Sequence, residues 1–292
     1  MLFRSLEQQA AQRQLAQLQQ EFSQHRQSSA GTGERQPAGI DFDLFPNWYQ
    51  DWARGNPERD GLVLQVICET GLSRQPEIFN LAASRMGVQP NSGALKNAVE
   101  ALVSRGFISV RKAESHSVGQ PPNLITLTPL GEAAYIFFAK TKPKPGELDL
   151  AAHKNEAHAL LVLKAADWLK KAGYNVLRQG ERIPLEGGHL FCPDITAEKN
   201  GKTIYVEVER ESTKGNQNRE TKWRNFFAAS GGDMYIFCEN ASVQDKLIQE
   251  INRSLREKLP QASLRYCDLA LINDEILAAT GSIWTSTRRR QA

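Results

Sequence analysis

The Asn200-Gly201 pair constrains this chain more than any other feature of its sequence. Both residues tolerate the positive φ that a two-residue hairpin turn demands, so the apolar runs on either side, Leu190 to Ala197 and Thr203 to Val208, are predicted to fold back as antiparallel strands. Asp194 stands six residues before Asn200 and Glu207 stands six after Gly201. These equal arms bring both carboxylates to one end of the hairpin. Strand side chains alternate, so Glu207 and Glu209 share one face while Val206 and Val208 share the other. Asp194, Glu207 and Glu209 are therefore expected to converge. Like charges that close raise one another's pKa and destabilise a fold unless a cation neutralises them. Hard oxygen ligands in this arrangement suit Mg2+ or Mn2+.

The pattern around the hairpin defines its setting. A helix is predicted over Ala152 to Lys171, a strand over Tyr174 to Gln179, and then the two hairpin strands. A helix over Asn218 to Ala229, a strand over Met234 to Cys238, a helix over Val243 to Leu259 and a strand over Leu264 to Leu271 follow. Alternating helices and strands imply an α/β domain over residues 151–280 with helices covering a mixed sheet. A basic tail over 281–292 carries Arg288-Arg-Arg290.

The first half reads differently. Residues 1–27 form a Gln-rich helix with Ala11, Leu15, Leu18 and Phe22 on one stripe, equally suited to docking on its own chain or to pairing with a second copy. A turn-rich linker follows at 28–40. Residues 41–140 begin with Phe45, Trp48, Tyr49 and Trp52 at helical spacing, an aromatic extension that suits core packing, with base stacking as its functional alternative. Three short helices come next, ended by Gly71, Gly87 and Gly106, with Asn91 or Ser92 as the cap of the third. Two strands, Phe107 to Lys112 and Leu124 to Thr128, flank a polar loop containing Ser115, His116 and Gly119, and Pro129 opens another helix. Thr141-Lys-Pro-Lys-Pro-Gly146 cannot sustain a helix and marks a second linker over 141–150.

Composition narrows the classes. The chain has 292 residues, 40% hydrophobic and 24% charged, enough for two domains and without a membrane span. Its formal charge of +3 says little about a polyanionic partner, because whole-chain charge hides where the charges sit. Cys68, Cys192, Cys238 and Cys267 form no C-x-x-C and read as reduced thiols. The start lacks the apolar core of a secretion signal, which points to the cytoplasm.

The order of three helices, hairpin and helix resembles a winged helix-turn-helix domain, and Leu102-Val-Ser-Arg-Gly-Phe-Ile108 followed by Leu127-Thr-Pro-Leu-Gly-Glu132 is similar to its helix-to-wing passage. The resemblance implies a third helix that enters the major groove. Asn91, Ser92, Lys96 and Asn97 would contact DNA from that helix, and Arg111 and Lys112 from the wing. Such modules also bind proteins, and seven Lys/Arg against five Asp/Glu between Gly61 and Lys140 do not choose between these uses.

The second half resembles the PD-(D/E)xK nuclease superfamily over roughly residues 152–240. Pro193-Asp194 matches the start of the motif and Glu207 the acid on the next strand, so the resemblance implies a restriction-endonuclease-like fold. Glu156 occupies the place of a glutamate that members often add from the preceding helix. The motif lysine is replaced by Glu209. Lys222, in Thr221-Lys-Trp-Arg224, is the candidate for the missing positive charge. The implied chemistry is phosphodiester hydrolysis by a water that a divalent ion activates. In it Asp194 and Glu207 would be ligands, Glu209 a further ligand or proton acceptor, and Glu156 the holder of a second ion or the group that orients a metal-bound water. Arg219 and Arg224, in a basic run interrupted by acids, would hold phosphate backbone. His153 and His158 are five apart, off the spacing of a helical zinc pair, and His189 reads as a loop residue.

Three functions follow as expectations. The first is a Mg2+/Mn2+-dependent DNA endonuclease guided by the winged helix, as a homodimer or with a partner protein, in a mobile element or defence system. The second is a catalytically inactive DNA-binding regulator or accessory protein. The third is a protein-assembly factor.

Overall fold

The computed structural model describes residues 55–113, 121–148, 155–178, 182–210 and 217–288. The Gln-rich helix, the first linker, the four aromatics from Phe45 to Trp52, the loop with Ser115, His116 and Gly119, His153, and Arg289 and Arg290 lie outside them.

Helix α1 (Pro57–Thr70) starts at Asn56, whose side chain accepts from Arg59 N, and stops at Gly71 in the left-handed region. Helix α2 (Gln75–Met86) stops at Gly87 in the same way, and α3 (Gly93–Ser104) begins after Ser92, whose side chain makes no cap bond. A hairpin of β1 (Ile108–Lys112) and β2 (Asn123–Leu127) follows, with Ile108 opposite Leu127 and Lys112 opposite Asn123. Helix α4 (Pro129–Ala139) is capped by the Thr128 hydroxyl, which accepts from Gly131 N. Val63, Ile67, Ile78, Leu95, Leu102, Phe107 and Ile125 are buried between these elements. Asp60 is fully buried and is neutralised by Arg59 and by Arg105 at the end of α3.

The second half is built on α5 (Glu156–Lys171), β3 (Asn175–Arg178), β4 (Ile183–Pro184), β5 (Leu190–Phe191), β6 (Ile195–Lys199), β7 (Lys202–Glu209), α6 (Gln217–Ala229), β8 (Asp233–Cys238), α7 (Ala241–Leu255), β9 (Ser263–Asp268), α8 (Asp274–Thr280) and β10 (Ser286–Arg288). The sheet order is β10-β9-β8-β7-β6-β3, with β7, β8 and β9 parallel and the other pairs antiparallel. This is the mixed α/β sheet expected. On one face Leu161, Leu169 and other α5 residues pack on Val206, Val208, Tyr235 and Phe237. On the other, Trp223 and Phe226 of α6 and Val243, Leu247 and Ile251 of α7 pack on Met234, Ile236 and Tyr266.

Several details differ from expectation. The single strand predicted over Leu190 to Ala197 is two, because Pro193 has no N–H to continue a ladder. The first piece pairs with β4, and only Ile195–Lys199 joins the main sheet. Helix α7 ends at Leu255, five residues before Pro260, and a short 3-10 turn follows. Ser286–Arg288, in the segment read as a tail, is the antiparallel edge strand β10.

All described residues fall within one compact unit, Asn47–Ala292. The segment read as the second linker is bonded to α1: Lys144 N donates to Cys68 O and Glu147 N to Gly71 O. Arg74, before α2, meets both oxygens of Glu147 at 3.1 Å and Asp167 of α5 at 2.6 Å. Ala113, Leu124 and Leu160 add an apolar contact between the small hairpin and α5.

Candidate functional site

The hairpin closes on Asn200 and Gly201, with φ of 52° and 72°. Both values lie in the left-handed region that only such a pair adopts at little cost. Register runs Lys199 to Lys202 through Ile195 to Val206, so one further step sets Asp194 beside Glu207. Ile204, Val206 and Val208 join the α5 core, which leaves Glu207 and Glu209 on the α6 side. Asp194, Glu207 and Glu209 are 7%, 2% and 5% exposed. Burial of three acids demands partners.

Asp194 sits at the strand end between the helical layers. Its Oδ2 accepts Val208 N at 2.8 Å, and its Oδ1 lies 3.1 Å from His158 Nε2 on α5. Burial pushes its carboxyl up, but the His158 bond, the Lys222 charge and the Val208 N–H outweigh it and hold the group below the usual aspartate value. Glu207 is opposite in sense. Burial drives it well above the carboxylate range, Asp194 and Glu209 add to the rise, and Lys222 opposes it.

Lys222 Nζ lies 2.5 Å from both Glu207 Oε2 and Glu209 Oε1. Burial alone would lower its pKa; Glu207, Glu209 and Asp194 instead hold it above the ordinary lysine range. The Lys222 ammonium thus reaches both strand glutamates from α6. Glu209 departs from the expected role. Its Oε1 faces Lys222 and its Oε2 receives both terminal nitrogens of Arg219 at 3.3 Å. Both of its carboxylate oxygens thus face cations, where Glu207 faces one.

Two other placements are corrected. Glu156 is ion-paired to Arg111 of β1. Residues two apart on a helix point about 200° apart, so when His158 faces Asp194, Glu156 faces away from it. Arg219, expected on phosphate, binds Glu209 and, through Nε at 2.6 Å, Glu250 of α7. Its side chain is only 17% exposed. Arg224 is exposed and pairs with Glu220 one turn earlier. On the N-terminal module Asn91, Lys96, Asn97, Arg111 and Lys112 are exposed and Ser92 is half-buried.

His158, Glu250 and Trp223 were not identified from the sequence. The spacing rule for a helical zinc pair turned attention from His158, although a polar side chain inside Ala157-His158-Ala159-Leu160 signals a specific partner. Trp223 Nε1 donates to Glu250 Oε1 at 2.5 Å, which only the packing of α6 on α7 reveals.

The oxygen donors of Asp194 and Glu207 fit a divalent cation. Four carboxylates here, Asp194, Glu207, Glu209 and Glu250, face two permanent cations, Lys222 and Arg219. Burial is the main cause of the raised Glu207 pKa, and the neighbouring Asp194 and Glu209 add to it. Among the described residues no group of three or more His, Cys, Asp or Glu is arranged to hold a metal. Mg2+ commonly takes only one or two protein carboxylates and completes its shell with water and phosphate.

No family model matches the chain, and no curated protein matches it. Among solved structures, it is similar to a FdxN element excision controlling factor protein from Anabaena variabilis, at 17% identity over 38% of this chain and 91% of that one, with a TM-score of 0.28.

Proposed function

We propose that the chain is a Mg2+- or Mn2+-dependent DNA endonuclease that hydrolyses phosphodiester bonds, with its winged-helix-like module as the DNA-binding part. The observation that carries this reading is the pairing of buried Asp194 and Glu207 at the end of an Asn-Gly hairpin, with the Lys222 ammonium against Glu207. Asp194 and Glu207 would hold the ion, which supplies Lewis acidity toward a phosphoryl oxygen and lowers the pKa of water. His158 orients Asp194 through its Oδ1, and the Val208 N–H fixes Oδ2. Lys222 offers positive charge to the phosphate, a role the motif lysine has in the resembling family. Asn91, Lys96 and Asn97 on α3 and Lys112 on β1 present the polar and cationic groups for duplex contact.

The test is cleavage of plasmid, linear and branched DNA with Mn2+, Mg2+ or EDTA. Wild type is expected to cut only with metal. Asp194→Asn and Glu207→Gln are expected to lower the rate by more than about a thousandfold, matching the several kcal/mol of charge stabilisation a bound ion contributes. Cutting that survives both substitutions, or that persists in EDTA, removes this assignment.

A second reading is favoured by one contact: the Lys222 ammonium already neutralises Glu207 and Glu209 without an ion. Under it the chain binds DNA without cutting, as an accessory protein. Mn2+ would then change neither the melting temperature nor the DNA, while retention on DNA at low salt would persist.

A further inference from the structure

The replacement of the motif lysine by Glu209 leaves a question of geometry, because a lysine on α6 has a long, flexible stem and two acids to choose from. Arg219, Lys222 and Trp223 lie at i, i+3 and i+4 on α6, one face of the helix. Trp223 is fully buried; the Arg219 guanidinium lies 5.7 Å and the Lys222 amine 5.3 Å from its ring centre. Glu250 Oε1 accepts from Trp223 Nε1 at 2.5 Å and from Arg219 Nε at 2.6 Å. Arg219 in turn gives both terminal nitrogens to Glu209 Oε2, leaving Oε1 as the oxygen that meets Lys222. A continuous run of alternating charge thus passes from Glu250 through Arg219 and Glu209 to Lys222 and ends on Glu207.

We propose that Arg219 and Glu250 are positioning residues, which hold the Lys222 ammonium against Glu207 by turning Glu209 into an anchor. This rests on the nuclease reading for its consequence in catalysis, but the positioning itself does not. Without Arg219, Glu209 has a full charge and one cation within reach. Lys222 is then drawn to both oxygens of Glu209 and away from Glu207. Glu250 acts one step further out, by fixing the plane of the Arg219 guanidinium, and Lys at 219 could not reproduce this two-sided fork.

Two measurements test the proposal. In metal-free protein, an ammonium held between two buried carboxylates exchanges its protons slowly and gives its own resonance in heteronuclear NMR spectra, assigned to Lys222 by its loss in Lys222→Arg. Arg219→Met and the milder Glu250→Gln are expected to shift or broaden that signal. An unchanged signal in both folded variants overturns the proposal, whether or not the wild type cuts DNA. Second, Arg219→Met and Glu250→Gln are expected to lower Mn2+-dependent cleavage about tenfold to a hundredfold, as for partners that orient a site from behind. In a Lys222→Ala background they are expected to cost nothing more, because they act through Lys222. Full additivity there would mean that Arg219 works elsewhere, on DNA for instance, and would reject the chain of contacts as the cause. A responsive NMR signal in a protein that never cuts DNA would keep the positioning and discard the nuclease reading.

Discussion

Asp194 and Glu207 carry the same functional group side by side on the two arms of the hairpin, yet their surroundings pull them in opposite directions. Asp194 is held below its ordinary value, so the stability it contributes is present above about pH 3.9 and is lost as pH falls through its lower folded value. Glu207 is raised, so the folded state binds its proton more tightly. Stability is then expected to decline as pH rises from about 4.3 through its folded value. Denaturant titrations of metal-free protein across pH 3 to 8 check both signs: Asp194→Asn should flatten the acid limb and Glu207→Gln the decline above it. Mn2+ should remove the decline in wild type, since the ion competes with the proton at Glu207. A Glu207→Gln curve parallel to wild type would contradict the assignment. At this scale the placement of Asp194 and Glu207 was legible because turn chemistry and strand alternation are local. His158 was not, since the face of α5 that meets Asp194 is set by docking.

The elements were legible where punctuation was strong. Gly71, Gly87 and the Asn200-Gly201 turn all end or reverse the chain where expected. Short pieces such as β4 and β10 carry too few residues for a period to show. One glycine has a meaning only the packing discloses. A Cβ on Gly131 in α4 would lie 2.0 Å from Phe107 O, so α4 can approach the start of the hairpin only with glycine there. Gly131→Ala is expected to destabilise the fold by about 1–3 kcal/mol, the usual cost of forcing atoms into a packed contact. Gly93→Ala is the contrast: nothing lies within 4 Å of a Cβ there, and about 0.5 kcal/mol of stabilisation is expected in the same melts. Equal effects at the two positions would refute the packing argument.

Across the whole molecule, the helical module and the sheet module are joined by charge as well as by apolar contact. Arg74 is 8% exposed and ties the segment before α2 to Glu147 and to Asp167 of α5. Those acids and burial set its ionisation: burial disfavours the cation, and Glu147 and Asp167 more than restore it. Arg74→Met leaves the half-buried carboxylates of Glu147 and Asp167 without their shared partner, at a cost of about 1–3 kcal/mol. We expect calorimetry to resolve two unfolding transitions in this variant, with residues 57–139 melting first, where wild type shows one. A single transition at the wild-type midpoint would show that Arg74 does not couple the modules. The pairing of Arg111 with Glu156 makes a second tie, and it uses a residue of the β1–β2 hairpin that the family resemblance had assigned to DNA.

Local chemistry in the sequence was enough to determine the hairpin, the alternating helices and strands, and the end of the sheet to which Asp194 and Glu207 belong. Each of these follows from φ preference and side-chain period within about ten residues. The tertiary structure alone decided which charges meet. Glu209 was read as a further metal ligand or proton acceptor and is ion-paired to Lys222 and Arg219, Arg219 was read as a phosphate contact and is paired to Glu209 and Glu250, and Glu250 was not singled out, because ion pairing among buried groups depends on how α6 and α7 dock over Trp223.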